Sequence, residues 1–192
     1  MLKKIIILST TALALAAQSY QIDSAHSGAS FRVKHMMVTN VSGRFSNLKG
    51  AVTFEEKNVG KSSIDATIDI ETINTNEPKR DAHLKSPDFF DVAKFPQMSF
   101  KSTRIYKADG VMKADGNLTL HGVTRLVTLT LTELSGEVKH PQGSIVRGAV
   151  ATTSISRKDY GLTWNKTIEA GGVVVGDEIA ITLEIELTRK PA

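Results

Sequence analysis

Apolar and polar residues alternate with period two over most of the chain. In residues 63–70 the apolar set is Ile64, Ala66, Ile68 and Ile70, set against Asp65, Thr67 and Asp69. In residues 178–188 it is Ile179, Ile181, Leu183, Ile185 and Leu187, set against Ala180, Thr182, Glu184, Glu186 and Thr188. Val127, Leu129 and Leu131 alternate with Thr128, Thr130 and Thr132 in the same way. Weaker runs occupy residues 30–38, 44–54, 97–106, 111–120 and 145–155. Successive side chains of a strand point to opposite faces, so each segment buries one face and wets the other. Gly, Asn and Asp punctuate the runs at Asn58-Val59-Gly60, Asp109-Gly110, Asp115-Gly116-Asn117, His121-Gly122 and Gly176-Asp177. Eight or more such strands joined by short turns predict an all-β fold, an antiparallel barrel or sandwich.

Two segments depart from this pattern. Residues 76–86 carry Pro78 near a helix start, where its missing N–H costs nothing. Ser86-Pro87-Asp88-Phe89-Phe90 reads as a second cap and a helical turn, because Pro87 cannot continue the first helix. Leaving Phe89 and Phe90 in water is costly, so this insert is expected to close one end of a barrel with both rings on the core. At the N-terminus, Met1-Leu2-Lys3-Lys4 precedes the apolar run 5–17, which ends in Ala12, Ala14, Ala16 and Ala17. That is the layout of a secretory signal peptide over residues 1–17. At ~1.5 Å per residue the run reaches only about 20 Å, short of a ~30 Å hydrocarbon core. Cleavage is expected between residues 16 and 20, leaving one soluble, exported domain over residues 20–190 with no membrane anchor.

The chain has 24 basic and 20 acidic residues. Without Lys3 and Lys4 the basic residues number 22, an excess too small and too scattered for a nucleic-acid partner. The absence of cysteine excludes thiol catalysis, thiolate metal sites and disulfides. Aromatic residues are few (Phe 7, Tyr 3, Trp 1), and the inward positions are mostly aliphatic or small. An eight-stranded barrel is about the size at which the interior either fills with side chains or keeps room for one small ligand. The composition suits a slender channel, although a solid-core module binding a protein on its outer face shares the same pattern.

Six segments together resemble one family. They are Tyr20-Gln21-Ile22-Asp23-Ser24-Ala25-His26-Ser27, Phe31-Arg32-Val33-Lys34-His35-Met36 and Val41-Ser42-Gly43-Arg44-Phe45. Then come Arg80-Asp81-Ala82-His83-Leu84-Lys85-Ser86-Pro87-Asp88-Phe89-Phe90-Asp91 and Phe95-Pro96-Gln97-Met98-Ser99-Phe100, counted as one. The last two are Gly116-Asn117-Leu118-Thr119-Leu120-His121-Gly122-Val123-Thr124 and Ile155-Ser156-Arg157-Lys158-Asp159-Tyr160-Gly161-Leu162. In order and spacing the chain resembles the YceI-like, polyisoprenoid-binding family of bacterial periplasmic proteins. The resemblance implies a lipocalin-like eight-stranded antiparallel β-barrel in the periplasm. It also implies a long isoprenoid or acyl chain, such as a quinone or polyprenyl lipid, held in an apolar tunnel. No cofactor is expected beyond that ligand, and no catalysis.

The candidate tunnel residues are Phe31, Val33, Phe45, Val52, Phe54, Ile68, Ile70, Phe89, Phe90, Met98, Phe100, Leu118, Leu120, Leu129, Leu131, Ile181 and Leu183. The candidates for a mouth that meets the lipid head group are His35, Arg80, Asp81, His83 and Arg157. Arg80 and His83, three apart on a helix, share one face. They and Asp81 either face a head group or hold the insert through an ion pair of Asp81 with Arg80 or Arg157. An enzyme would instead use Asp81 and His83 as acid and base on a bound isoprenoid. No His of the set His26, His35, His83, His121 and His140 has ligand spacing, so no metal site is expected, and His121 and His140 are expected at the surface. There is no G-x-S-x-G elbow and no phosphate loop. Trp164 suits a hairpin anchor, a barrel cap or a ligand contact equally. The sequence leaves a homodimer open.

Overall fold

The computed structural model describes residues 17–168 and 172–191, so the signal-peptide reading falls outside it save for Ala17. The strands are β1 (Gln18–Ile22), β2 (Gly28–His35), β3 (Thr39–Phe45), β4 (Leu48–Phe54), β5 (Ser63–Asp69), β6 (Gln97–Ala108) and β7 (Val111–Leu120). They continue with β8 (Val123–Leu134), β9 (Val138–Lys139), β10 (Ile145–Ser156), β11 (Thr167–Ile168), β12 (Gly172–Val173) and β13 (Val175–Arg189). The last long strand joins the ends of the sheet. β13 pairs with β10 on one side and with β1 and β2 on the other, and the ladder runs from β1 through β4, β5, β6, β7 and β8 back to β10. Every ladder is antiparallel, and closure leaves an eight-stave barrel in which β1 and β2 share one stave and β3 and β4 the next.

The shared staves are broken where polar side chains offer the backbone another partner. Between β1 and β2 the Asp23 carboxylate accepts from the Ala25 amide at 2.9 Å. Between β3 and β4 Asn47 takes a left-handed backbone (φ 61°), which Asn tolerates better than most residues. The expected single run 44–54 is therefore two strands. Asp109-Gly110 and His121-Gly122 are the left-handed turns the sequence suggests. Asp115-Gly116-Asn117 and Gly176-Asp177 are not turns. The first lies inside β7, and the second lies inside β13 at a register shift between Val175 and Ile179. Run 63–70 also ends one residue early, because Ile70 turns into a short 3-10 segment and donates its amide to Pro96.

The insert forms helix α1 (Pro78–Lys85), with Pro78 in the first position and the Glu77 carboxylate accepting from the Lys79 and Arg80 amides. Ser86-Pro87-Asp88-Phe89-Phe90 is a tight turn rather than a helix, closed by the Phe89 and Asp91 amides on the Ser86 carbonyl. Both rings reach the core as expected. Phe89 is buried, and Phe90 packs edge-on against Phe45 with centroids 5.8 Å apart. Among the described residues no helix is long and apolar enough to cross a membrane.

Candidate functional site

The inward side chains of the staves enclose a cavity of about 240 Å³ whose wall is apolar. An engineered apolar cavity of about 150 Å³ already stays dry and takes up benzene. A cavity of this size speaks for the slender-channel reading over the solid-core alternative. Every tunnel candidate from the sequence lines it except Ile70, which is fully buried in the packing beside the tunnel because its strand has already ended.

β10 shows why the cavity is long and narrow. Its inward face reads Arg147, Ala149, Ala151, Thr153 and Ile155, with Arg157 immediately beyond the strand, and all six line the cavity. Ten residues span about 33 Å along a strand, or about 25 Å along the axis at usual barrel tilt. Small side chains in the middle leave the lumen open. Two glycines let aromatic rings lie along the wall instead of across it. A Cβ on Gly43 would stand 2.5 Å from the Phe31 ring on the facing strand, and one on Gly116 would stand 2.4 Å from the Phe100 ring.

The insert end is closed around Arg157, which is 3% exposed. Its Nε donates to Gly176, its Nη1 to the Leu162 and Trp164 carbonyls, and its Nη2 to the Val175 carbonyl and Asp177. Five acceptors meet the five N–H donors of a guanidinium, so none is left for a ligand. Burial lowers its pKa from the usual arginine value, and the Asp177 charge opposes this. The Trp164 ring meets His83 edge-on and Phe89 at a tilt, each with centroids 5.0 Å apart, and it does not border the cavity. Trp164 is thus the clasp between the insert and the barrel end.

Of the five mouth candidates only Arg157 lines the cavity. Asp81 accepts from the Thr75 amide (2.9 Å) and hydroxyl, and Arg80 donates to the Thr75 hydroxyl and carbonyl at 2.8 Å each. Buried Thr75 therefore takes both side chains. The expected ion pairs of Asp81 with Arg80 or Arg157 do not form, and Asp177 is the carboxylate that reaches Arg157. His83 faces Asp88 (2.9 Å), and His35 ends β2 beside Thr39 and Val175. His121 is more than a surface residue: its Nδ1 lies 3.0 Å from the Tyr160 carbonyl and its ring packs on Phe95. His140 lies in an exposed turn and accepts from the Gln142 amide.

Among the described residues, Asp23, His26 and Glu186 bring three ligand-type atoms together on the outer surface. His26 Nδ1 lies 3.0 Å from Asp23 and 3.9 Å from Glu186. The hydrogen bond to His26 lowers the Asp23 pKa, and the same bond raises that of His26.

The far end of the tunnel holds what the sequence reading missed. Glu137 accepts from Arg189 Nε (2.8 Å) and Nη2 (2.7 Å) and from the Tyr20 hydroxyl. The Arg189 hydrogen bonds, then that of Tyr20, hold the Glu137 carboxyl down at about 2. Beside them Arg147 lies over the Phe54 ring, 4.9 Å from its centroid. One signal could have found Arg147: it stands in register with Ala149, Ala151, Thr153 and Ile155, so period two turns it inward.

A YceI-like domain model matches residues 20–187. Protein YceI of Salmonella newport (strain SL254) is 39% identical over 159 residues, covering 82% of each chain. A Campylobacter jejuni YceI protein that crystallizes with large solvent channels superposes with a TM-score of 0.67 at 26% identity, covering all of both chains. A polyisoprenoid binding domain from Saccharophagus degradans, implicated in plant cell wall breakdown, superposes with a TM-score of 0.62 at 18% identity, covering 90% of this chain and 98% of that one. The match across nearly the whole barrel, with the same lipocalin-like fold, makes this chain a member of the YceI-like domain family.

Proposed function

We propose that this protein is a periplasmic carrier that holds one long isoprenoid or related lipid, a quinone or polyprenyl chain, in the barrel tunnel without chemistry on it. The observation that carries the reading is the apolar cavity inside the barrel, lined along β10 from Arg147 to Arg157. A slender hydrocarbon chain fits such a space, and each buried CH₂ contributes about 0.8 kcal/mol, so a dozen give about 10 kcal/mol before ordering costs. The Saccharophagus degradans relative, a polyisoprenoid binding domain, supports the same ligand class. The periplasmic assignment rests on the signal-peptide layout of residues 1–17. Asp81 and His83, the acid–base pair of an enzyme reading, are bonded to Thr75 and Asp88 and lie outside the cavity wall. That supports a carrier over an enzyme.

The test is mass spectrometry of organic extracts from protein purified out of its own host. The expected result is a stoichiometric long-chain isoprenoid or acyl lipid. Extracts without any such lipid, or with a conversion product of one, contradict the reading.

A further inference from the structure

We propose that the tip of the β2–β3 hairpin, Met36, Met37 and Val38, is a membrane anchor that docks the insert end of the barrel on a bilayer containing anionic lipids. The proposal rests on the carrier reading for its purpose, the transfer of cargo, and on observations outside the cavity for its place.

The turn has the wrong residues for its backbone. The Val38 amide closes it on the His35 carbonyl at 3.1 Å, and both central residues have positive φ, 48° at Met36 and 61° at Met37. Positive φ at both positions is the pattern of a type I′ turn, which selects Asn-Gly, Asp-Gly or Gly-Gly. The turns at Asp109-Gly110 and His121-Gly122 follow that rule at the second position. Met36 and Met37 do not, and a long side chain gains nothing from a left-handed backbone. Burial does not compensate, because Met36 is 42% exposed, Met37 54% and Val38 80%. A sequence that breaks a local backbone rule to display apolar side chains in water marks a functional element.

The surroundings say what the tip meets. The Met36 amide donates to the Val174 carbonyl at 2.8 Å, and the Val174 amide to the Lys166 carbonyl at 3.0 Å, so the tip is braced against the β11–β12 pair. A Cβ on Gly172 would stand 3.4 Å from Met37 Cγ and 3.2 Å from Ile168 Cδ1, which puts these two apolar side chains next to each other. Behind the tip, Arg32 and Lys34 are exposed on β2, and Lys166 is exposed beside β11. Among the described residues no carboxylate lies within ion-pair distance of these three cations. The acids on the adjoining stretch of β13 are engaged elsewhere, Asp177 by Arg157 and Lys158, and Glu178 by the Ser154 hydroxyl.

An apolar tip with unpaired cations behind it suits the head-group boundary of an anionic bilayer. A protein partner fits less well, because so small a tip falls far short of the roughly 800 Å² per partner of a stable protein interface. The position also suits a carrier. Val33, on β2, and Val175, which pairs with His35, both line the cavity, so docking by the tip brings this end of the lumen to the membrane.

The experiment is cosedimentation of the purified protein with vesicles of phosphatidylcholine alone, or of phosphatidylcholine and phosphatidylglycerol in equal parts. Wild type should bind the anionic vesicles about tenfold more tightly or better, and added salt should weaken that binding. Arg32→Gln with Lys34→Gln should erase most of the preference for anionic vesicles. Met36→Asn with Met37→Gly should raise Tm by about 2–5 °C, because the turn then has the residues it selects. The same variant should lose about tenfold or more in vesicle affinity. A lower Tm would show that the methionines serve the fold, and unchanged vesicle binding would show that they do not dock; either overturns the proposal. Wild type that binds neither vesicle overturns it too, while lipid found in extracts of the same protein keeps the carrier reading. Vesicle binding by protein whose extracts hold no lipid overturns the carrier reading and leaves the anchor standing.

Place has its own readout, because the chain has no cysteine and a single one can be labelled. An environment-sensitive dye on Val38→Cys should brighten and shift to the blue on anionic vesicles. The same dye on Val138→Cys should not, since Val138 is 61% exposed on β9 and pairs with Val146 at the opposite end of the barrel. Equal responses at the two positions overturn docking by the tip. Dimerisation in sedimentation velocity that disappears in the Met36→Asn, Met37→Gly variant would give the tip to a second copy instead, and overturns it as well.

Discussion

The rings of His83 and Trp164 meet edge to face with centroids 5.0 Å apart, and this contact ties helix α1 to the loop that follows β10. Phe89 completes the stack from the same insert, also at 5.0 Å from Trp164. The Trp164 carbonyl is in turn held by Arg157 Nη1 at 2.9 Å. The aromatic clasp and one arginine thus join the Phe90–Phe45 contact in fixing the insert to the barrel. Trp164→Ala is expected to cost about 1–3 kcal/mol, less than truncation of a fully buried Trp, since this ring is half-buried. It should also speed release of a bound lipid. Urea unfolding and a lipid-exchange assay measure the two, and unchanged values for both would show that the clasp holds nothing.

Arg157 predicts a larger effect. Arg157→Met takes the arginine donors from the Gly176, Leu162 and Trp164 carbonyls, while Val175 keeps Asn165, for an expected loss of about 3–5 kcal/mol. Asp177→Asn should cost under about 1 kcal/mol, because this carboxylate is half in water and makes only one of the five contacts. Chemical denaturation of the two variants checks the order. A costlier Asp177→Asn would mean that the ion pair, not the carbonyl cage, holds this end.

The wall glycines give a test of the tunnel's shape. At Gly116 a Cβ would stand 2.4 Å from the Phe100 ring and 2.6 Å from the Lys101 carbonyl. Gly116→Ala should therefore push Phe100 into the lumen, cost about 1–3 kcal/mol and reduce lipid binding. Gly136→Ala meets nothing within 4 Å and serves as the control. Equal lipid retention in the two variants would show that Phe100 does not bound the occupied tunnel.

How much of this was legible in the sequence follows from what period two does and does not record. It placed Ile64, Ala66 and Ile68 on the inward face, and it did the same for Ile179 through Leu187, because alternation is a backbone property. It overran at Ile70, where the chain leaves the sheet to donate to Pro96, a partner distant in sequence. It treated Asp115-Gly116-Asn117 as a turn because Gly more often marks a turn than a place for a neighbour's ring. Arg80, Asp81 and His83 were attractive as a charged cluster, but the acceptors and donors they satisfy lie on Thr75 and Asp88. The register of Arg147 turns it inward, although a lone charge in a strand ordinarily reads as an outward residue.

Acid sensitivity is expected from the end of the tunnel that carries Arg147. Glu137 titrates at about 2 in the folded protein against 4.5 ordinarily, held down first by Arg189 and then by Tyr20. A depressed carboxylate pKa contributes stability that is present above the ordinary value and is lost as pH falls from there towards the folded value. Tm should therefore fall between about pH 4.5 and about pH 2, with Asp23, also lowered, adding to the same window. Glu137→Gln should be less stable than wild type at about pH 6 and should converge with it near about pH 2. Parallel melting curves across that range would remove Glu137 from the account.

The central claim is that the barrel lumen itself is the lipid site, and native mass spectrometry of protein isolated from its own host tests it most directly. Wild type is compared with Leu183→Trp, which places a large ring into the lumen at a cost of about 1–3 kcal/mol that an ordinary domain survives. The account predicts that wild type carries an added mass of one long-chain lipid, and that Leu183→Trp, folded by circular dichroism, carries none. A wild-type protein at the bare chain mass, or a variant that keeps the same adduct, would contradict it.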